Sequence, residues 1–382
     1  MKIGVLAYRQ QPYISANTAI AYIVGKQLSK TEEIVFIGRR QNYIQKDGDT
    51  YHGIRIKYLN TEPLDHYSRI NNLLQRQGWM SLAFREEAKY IHSIVREEKL
   101  DALICMTAPN DDAYIALSAN LKIPIYIYQL DPFYNLDDAE NKLLKKLFIK
   151  YLEQIQHVFT TSLLMDSYQK DNLIKPFLNK ITVLEFPKLI YHCDRVDGNN
   201  GKGIRLLYAG SLYANRKPSF LIDLKQILPH EFNIIFCGNC VNETDIDLLK
   251  KEGVLCLGYC DQVKLEEEID KASFLINIGN TVKNQLPSKV IDYISTGKPI
   301  INLIQRNDCP SLEVLKDYPY ALNIMASEIK ERRKEITDFV TQNKNNRVSW
   351  NVLSRIYREY TPEYVSEKII DIIRKDLKQT EY

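Results

Sequence analysis

The 382-residue chain has no apolar run approaching the roughly 20 residues that a membrane-spanning helix requires. Its opening Met1-Lys2-Ile3-Gly4-Val5-Leu6-Ala7 is too short an apolar stretch for a secretory signal, so a cytoplasmic protein is expected. Charge of one sign is equally scarce. Against 51 Lys and Arg stand 48 Asp and Glu, and the net +3 is far below the basic surplus of a nucleic-acid binder. With 15 Gly and 14 Pro, neither a collagen-like nor a low-complexity chain is possible. The seven cysteines are odd in number and lie mostly in strand-like runs, which fits buried reduced thiols better than a disulfide framework. What is present is ordinary for a globular enzyme: 45% apolar and 26% charged residues. At about 150 residues per domain, the length implies two to three domains.

Short apolar runs at 2–8, 34–37, 102–106, 123–128, 157–160 and 181–184 alternate with segments of helical period at 17–28, 81–98 and 138–154. Such alternation predicts a parallel sheet covered on both faces. The glycine-dense Asp197-Gly198-Asn199-Asn200-Gly201-Lys202-Gly203 breaks the pattern, which restarts at 204–209 and continues through 232–236, 254–257, 274–278 and 299–303. The fold class is therefore α/β with two doubly wound, Rossmann-like domains: 1–190, a linker at 191–203, and 204–345. The stretch 328–378 reads as wholly helical, and Thr361-Pro362 makes a good start for its last helix. In doubly wound sheets ligands bind beyond the carboxyl ends of the strands, so the chemistry belongs on the strand-to-helix loops.

Two loops stand out. In Asn284-Gln285-Leu286-Pro287-Ser288-Lys289-Val290-Ile291-Asp292-Tyr293-Ile294-Ser295-Thr296-Gly297-Lys298-Pro299-Ile300, Pro287 and Ser288 suit a helix's first turn and Gly297 the left-handed residue after its last. The positive end of that short helix favours a phosphate, Lys289 adds charge to it, and Asp292 can accept hydrogen bonds from a ribose. The plain alternative is a well-capped helix with solvated charges. In Leu206-Leu207-Tyr208-Ala209-Gly210-Ser211-Leu212-Tyr213-Ala214-Asn215-Arg216-Lys217-Pro218, Gly210 permits close approach of a ligand to the backbone, and the Arg216 fork suits a diphosphate. Here the plain alternative is a turn with two surface cations.

Together these segments resemble the donor-binding motifs of GT-B glycosyltransferases, especially the retaining family-4 type of bacterial polysaccharide assembly, in a variant subgroup with a Pro-Ser-Lys donor motif. The resemblance runs in outline over nearly the whole chain. It includes the terminal Tyr364-Val365-Ser366-Glu367-Lys368-Ile369-Ile370 helix, which in that fold crosses back to the first domain, here within 346–382. It implies a hexosyltransferase whose second domain holds a nucleotide diphosphate-sugar and whose first faces a saccharide or lipid-linked acceptor, with no metal or other cofactor.

By position, Gly210 matches the motif glycine, Arg216 the phosphate-binding lysine and Asp292 the ribose-binding acid. Tyr259, in Leu257-Gly258-Tyr259-Cys260, falls where the base usually rests. The donor set is thus Gly210, Ser211, Arg216, Lys217, Tyr259, Pro287, Ser288, Lys289 and Asp292. The chemistry falls to Arg216 and Lys289, with Asp131 holding the transferred sugar or the acceptor hydroxyl. For Asp131 the plain role is to start a turn before Pro132. The chain departs from the pattern at Ser211, where an arginine is usual, and at Asn284, where a glutamate is usual. The glycine pair usual in the first loop is missing from 9–18, and Gln129-Leu130-Asp131-Pro132 replaces a usual histidine. In a retaining enzyme the leaving diphosphate can itself take the acceptor proton, so catalysis rests on positioning and on stabilising that diphosphate.

Other signals weigh less. Cys237-x2-Cys240 and Cys256-x3-Cys260 have near-zinc spacing, but two of the four sit in or at the end of strands, which favours buried thiols. Lys142, Lys145, Lys146 and Lys150 alternate with Leu143, Leu144, Leu147 and Phe148, a pattern compatible with peripheral contact on anionic lipid or with an ordinary solvated helix face. Two rival functions remain: a nucleotide-sugar epimerase, for which no flanking acid–base pair is evident, and a non-catalytic sugar- or transferase-binding partner.

Overall fold

The structure, a computed structural model, describes residues 1–7, 16–39, 50–59, 79–107, 110–133, 142–191, 203–213, 216–281 and 286–380. Two compact units divide the chain: Met1–Lys188 with Glu359–Tyr382, and Leu189–Arg358. The expected linker falls almost wholly on 192–202, outside the described residues, as does the first-domain loop at 8–15.

The first unit is built on β1 (Lys2–Leu6), β2 (Glu33–Arg39), β3 (Thr50–Tyr51), β4 (Ile54–Leu59), β5 (Ala102–Thr107), β6 (Ile125–Gln129), β7 (His157–Thr160) and β8 (Ile181–Val183). Their order in the sheet is β3-β4-β2-β1-β5-β6-β7-β8. All pairings are parallel except β3 with β4, which turn through His52 and Gly53, both left-handed as a two-residue hairpin requires. Central β5 is buried at every position, as a strand covered on both faces must be. The helical period at 81–98 breaks at buried Phe84, leaving helices Met80–Ala83 and Arg85–Glu98. The latter lays Ala88, Ile91 and Ile94 on the core.

The second unit contains β9 (Ile204–Ala209), β10 (Phe232–Cys237), β11 (Leu255–Gly258), β12 (Phe274–Ile278), β13 (Ile300–Ile304) and β14 (Ala321–Met325), in the order β11-β10-β9-β12-β13-β14 and all parallel. Leu206, Tyr208, Ile276, Ile278, Ile301 and Leu303 pack one face of this sheet against Leu221, Leu224, Ile336 and Val340. Growth of the sheet reverses at β9, whose neighbours are β10 on one flank and β12 on the other. Pairing of β9 with β12 ends at Leu207↔Leu275, whereas β9 follows β10 to Ala209↔Cys237 and β12 follows β13 to Ile278↔Leu303. The carboxyl ends of β9 and β12 therefore part, which is the topological switch point where α/β sheets hold ligands.

The end of the chain corrects the expectation that 328–378 is wholly helical. Helices Arg333–Asn343, Trp350–Ile356 and Pro362–Thr380 are separate, and the extended segment between the first two is held where Val348 donates its N–H to the Gly297 carbonyl at 2.8 Å. Because Trp350–Ile356 packs on helix Lys289–Ser295 of its own unit, the chain returns to the first unit at Glu359, later than the expected residue 346. Helix Pro362–Thr380 opens with Thr361 Oγ1 accepting the Tyr364 N–H at 3.3 Å and packs on helix Ala16–Leu28. It is tied down by Arg374–Glu32 and by Tyr126 Oη donating to Asp376 at 3.1 Å.

Candidate functional site

A cavity of about 250 Å³ lies where β9 and β12 part. Tyr208, Ala209, Gly210 and Ser211 form the β9 wall, Asn277 and Ile278 the β12 wall, and Pro287, Ser288, Lys289 and Tyr293 the helix wall, with Tyr213 and Arg216 completing the lining.

The helix wall is set by local sequence. The helix runs Lys289–Ser295; Ser288 precedes it in helical dihedrals with no side-chain cap, so the start is one residue later than Ser288 suggests. It ends at Gly297, left-handed at φ +70° as expected. A Cβ there would stand 2.3 Å from the Val348 carbonyl oxygen. Lys289 and Tyr293, one turn apart, both reach the end of β9. Lys289 Nζ donates to the Ala209 carbonyl at 2.7 Å, and Tyr293 Oη lies 3.2 Å from the same oxygen while accepting from the Ala209 N–H at 3.1 Å. Burial raises the Tyr293 hydroxyl well above the ordinary phenol range, so it stays neutral. Burial likewise pushes Tyr208 up to about 12, with Arg216 pulling the other way.

Arg216 is pre-oriented by three contacts. Its N–H donates to the Tyr213 carbonyl at 2.7 Å, its guanidinium lies 5.3 Å from the Tyr213 ring centroid, and its Nη2 donates to Asn280 Oδ1. Its buried Nε–H has no acceptor among the described residues. Gly238, at the end of β10, braces the β9 wall: a Cβ there would lie 2.0 Å from the Gly210 carbonyl oxygen.

Gly210, Ser211, Arg216, Pro287, Ser288 and Lys289, all named from the sequence, are thus brought together. Lys217 is exposed beside Arg216, Asp292 is half-buried on the helix's first turn, and Tyr259 is 68% exposed on the turn after β11; none of the three lines the cavity. Asp131 is half-buried after β6 in the other unit. Asn284 and Gln285 lie outside the described residues. Asn277, Asn280 and Tyr293 were not singled out by sequence reasoning. The i, i+4 spacing of Lys289 and Tyr293 is the signal that was legible for the last.

The cysteines correct one expectation. Cys237 and Cys260 are paired with each other rather than packed singly, at the point where a Gly238 N–H to Gly258 carbonyl bond of 2.8 Å joins the β11 turn to the end of β10. Cys240 and Cys256 instead abut the hydrophobic core as free thiols, raised by burial. Among the described residues no group of three or more His, Cys, Asp or Glu could hold a metal ion.

The strand ends of the first unit carry different chemistry. Tyr168 Oη donates to Gln129 Oε1 at 2.8 Å, Glu185 Oε1 accepts the Ser162 N–H at 2.9 Å, and Tyr128 Oη donates to the Glu185 carbonyl. Gln129 Nε2 and Thr160 Oγ1 are buried without partners among the described residues. Burial raises the Glu185 carboxyl above its ordinary range, and the Ser162 N–H only partly offsets this. On the lysine-rich helix Lys142–Gln154, Lys145 pairs with Asp171 while Lys146 and Lys150 are exposed. No helix among the described residues is long and apolar enough to cross a membrane.

No family model and no curated protein matches the chain in sequence. Its structure is similar to that of sucrose-phosphate synthase from Thermosynechococcus elongatus, with a TM-score of 0.73 at 12% identity over 99% of both chains. It also resembles Anabaena HepE in complex with UDP-glucose (0.63, 11% identity, 98% of this chain and 100% of that one). A third likeness is to WaaG, a glycosyltransferase involved in lipopolysaccharide biosynthesis (0.62, 12% identity, 97% and 99%). The chain has the GT-B fold: two Rossmann-like parallel-sheet domains, with a terminal helix returned to the first.

Proposed function

We propose that the protein is a glycosyltransferase that moves a hexosyl group, with retention, from a nucleotide diphosphate-sugar to a saccharide acceptor, lipid-linked, in surface polysaccharide synthesis. The observation that carries this reading is the pair of cations, Arg216 and Lys289, converging on a cavity at the switch point of a parallel sheet. Support for the ligand class comes from similar structures, which include HepE with UDP and glucose and the lipopolysaccharide galactosyltransferase WaaB.

In this reading the Arg216 fork, already held by Asn280 and Tyr213, takes two diphosphate oxygens, and Lys289 exchanges the Ala209 carbonyl for a third. Both charges then face the negative charge that grows as the sugar departs, which lowers the barrier more than it stabilises the bound donor. Ser211 and Asn284, where the resembled family carries charges, bear on which sugar is accepted. Asp131 serves the acceptor hydroxyl, Asp292 the ribose, and Lys217 and Tyr259 the outer parts of the donor. Peripheral contact with anionic lipid through Lys146 and Lys150 would bring a lipid-linked acceptor near.

The test is a thermal-shift screen against uridine, guanosine, adenosine and thymidine diphosphates, followed by incubation of the matching nucleotide-sugars with and without saccharide acceptors. Nucleoside diphosphate released only when acceptor is present supports transfer. Isomerised donor without acceptor would assign an epimerase instead, and no stabilisation by any nucleotide would leave a non-catalytic binder.

A further inference from the structure

The second unit carries an amide ladder with no evident part in holding a diphosphate. Asn277, Asn302 and Asn323 are register partners on β12, β13 and β14, on the sheet face opposite the hydrophobic core. Asn277 Nδ2 donates to Asn302 Oδ1 at 2.7 Å, and Asn302 Nδ2 donates to Asn323 Oδ1 at 2.7 Å. Ser311 Oγ donates a second hydrogen bond to Asn302 Oδ1 at 3.1 Å. Asn302 is fully buried and Asn277 is 3% exposed. Two buried side-chain amides in a parallel sheet, with a third half-buried on its edge strand, are costly to desolvate, and apolar residues would hold those strands equally well. The ladder also has a direction. Asn277 also lines the cavity, and because its nitrogen is engaged by Asn302 on β13, the polar group it has left for a ligand there is its carbonyl oxygen.

We infer that Asn277 is a specificity-determining residue of the nucleotide-sugar site, its side-chain oxygen accepting a hydrogen bond from a ligand hydroxyl. Asn302 positions it by holding the amide in one orientation. This rests on the proposed function and deepens it. A carbonyl acceptor fixed in this way rewards a hydroxyl and leaves a buried oxygen unpaired when the hydroxyl is missing, so it discriminates where an apolar wall would not. The hydroxyl belongs either to the ribose or to the transferred hexose, since both flank a diphosphate held by Arg216 and Lys289.

Calorimetry with UDP, 2′,3′-dideoxy-UDP and UDP-glucose on wild type and Asn277→Ala tests this. An affinity loss of about tenfold in the variant for UDP, vanishing for the dideoxy ligand, supports the inference and assigns the ribose. A loss confined to UDP-glucose supports it and assigns the hexose. Unchanged affinity for the dideoxy ligand shows that the variant's site is intact. Asn302→Ser, which keeps Asn277 itself, should give the same ligand dependence at smaller size and serves if Asn277→Ala does not fold. Equal affinities of variants and wild type for all three ligands, or an equal loss for all three, overturn the inference while leaving the proposed function standing. A wild type that binds none of them, nor any of the other nucleoside diphosphates of the thermal-shift screen, overturns both.

Discussion

The two sheets end in opposite chemistry. At the carboxyl ends of the second sheet two cations meet a cavity opened by the parting of β9 and β12. At the carboxyl ends of the first, the described residues include a set of buried hydrogen-bonding groups, Thr107, Gln129, Thr160 and a Glu185 whose burial favours its protonated form, with half-buried Asp131 beyond β6. Fold alone does not dictate this, since both are parallel α/β sheets with switch points. The difference teaches that the described strand ends of the second unit gather positive charge at a cavity while those of the first gather buried hydrogen-bonding groups, a division that fits the proposed donor and acceptor roles.

Removing the cations should erase the contrast. Arg216→Ala and Lys289→Ala are each expected to lower transfer about a hundred- to a thousandfold while leaving circular dichroism unchanged, measured as acceptor-dependent release of nucleoside diphosphate. Gly238→Ala attacks the same crevice from behind. Its Cβ would meet the Gly210 carbonyl at 2.0 Å, a backbone oxygen that cannot swing aside, and a loss of about 3 kcal/mol in denaturant stability is expected. If the variant folds as stably as wild type, the β9 wall is looser than the structure gives. On the first unit, replacing exposed Lys146 and Lys150 by Ala should reduce flotation with anionic vesicles by about fivefold per lysine. Unchanged flotation would remove lipid contact from the account.

The smallest effect is expected at Glu185. Its folded pKa lies above the ordinary carboxylate value. Its contribution to stability is therefore full below the unfolded pKa and is lost as pH rises through the raised folded value. Glu185→Gln, neutral throughout, should lose less stability than wild type as pH climbs from acid to neutral in thermal melts. A parallel pH dependence in the two proteins would show the Glu185 carboxyl ionising as readily in the folded as in the unfolded state.

Much of this was legible in the sequence, for reasons that also explain the gaps. Central strands such as Ala102–Thr107, apolar up to its last residue, and Phe274–Ile278, apolar except for Asn277, were plain. Strand Ile54–Leu59 alternates apolar with charged residues and lies near an edge, and Ala321–Met325 is a half-buried edge strand, so neither stood out. Arg216, Lys289, Gly210 and the left-handed Gly297 follow from residue chemistry and local spacing. Asn277 and Asn280 could not be found that way, because what they do depends on cross-strand register and on Arg216, 64 residues away in the chain. The Cys237–Cys260 pair escaped for the same reason, being joined by the adjacency of β10 and β11.

The central claim is that the crevice between β9 and β12 holds a diphosphate through Arg216 and Lys289. Isothermal titration of UDP into wild type, Arg216→Ala and Lys289→Ala tests it most directly. The account predicts saturable one-to-one binding to wild type, weakened at least tenfold in each variant, with the weakening reduced at high salt. Equal binding by all three proteins would contradict it.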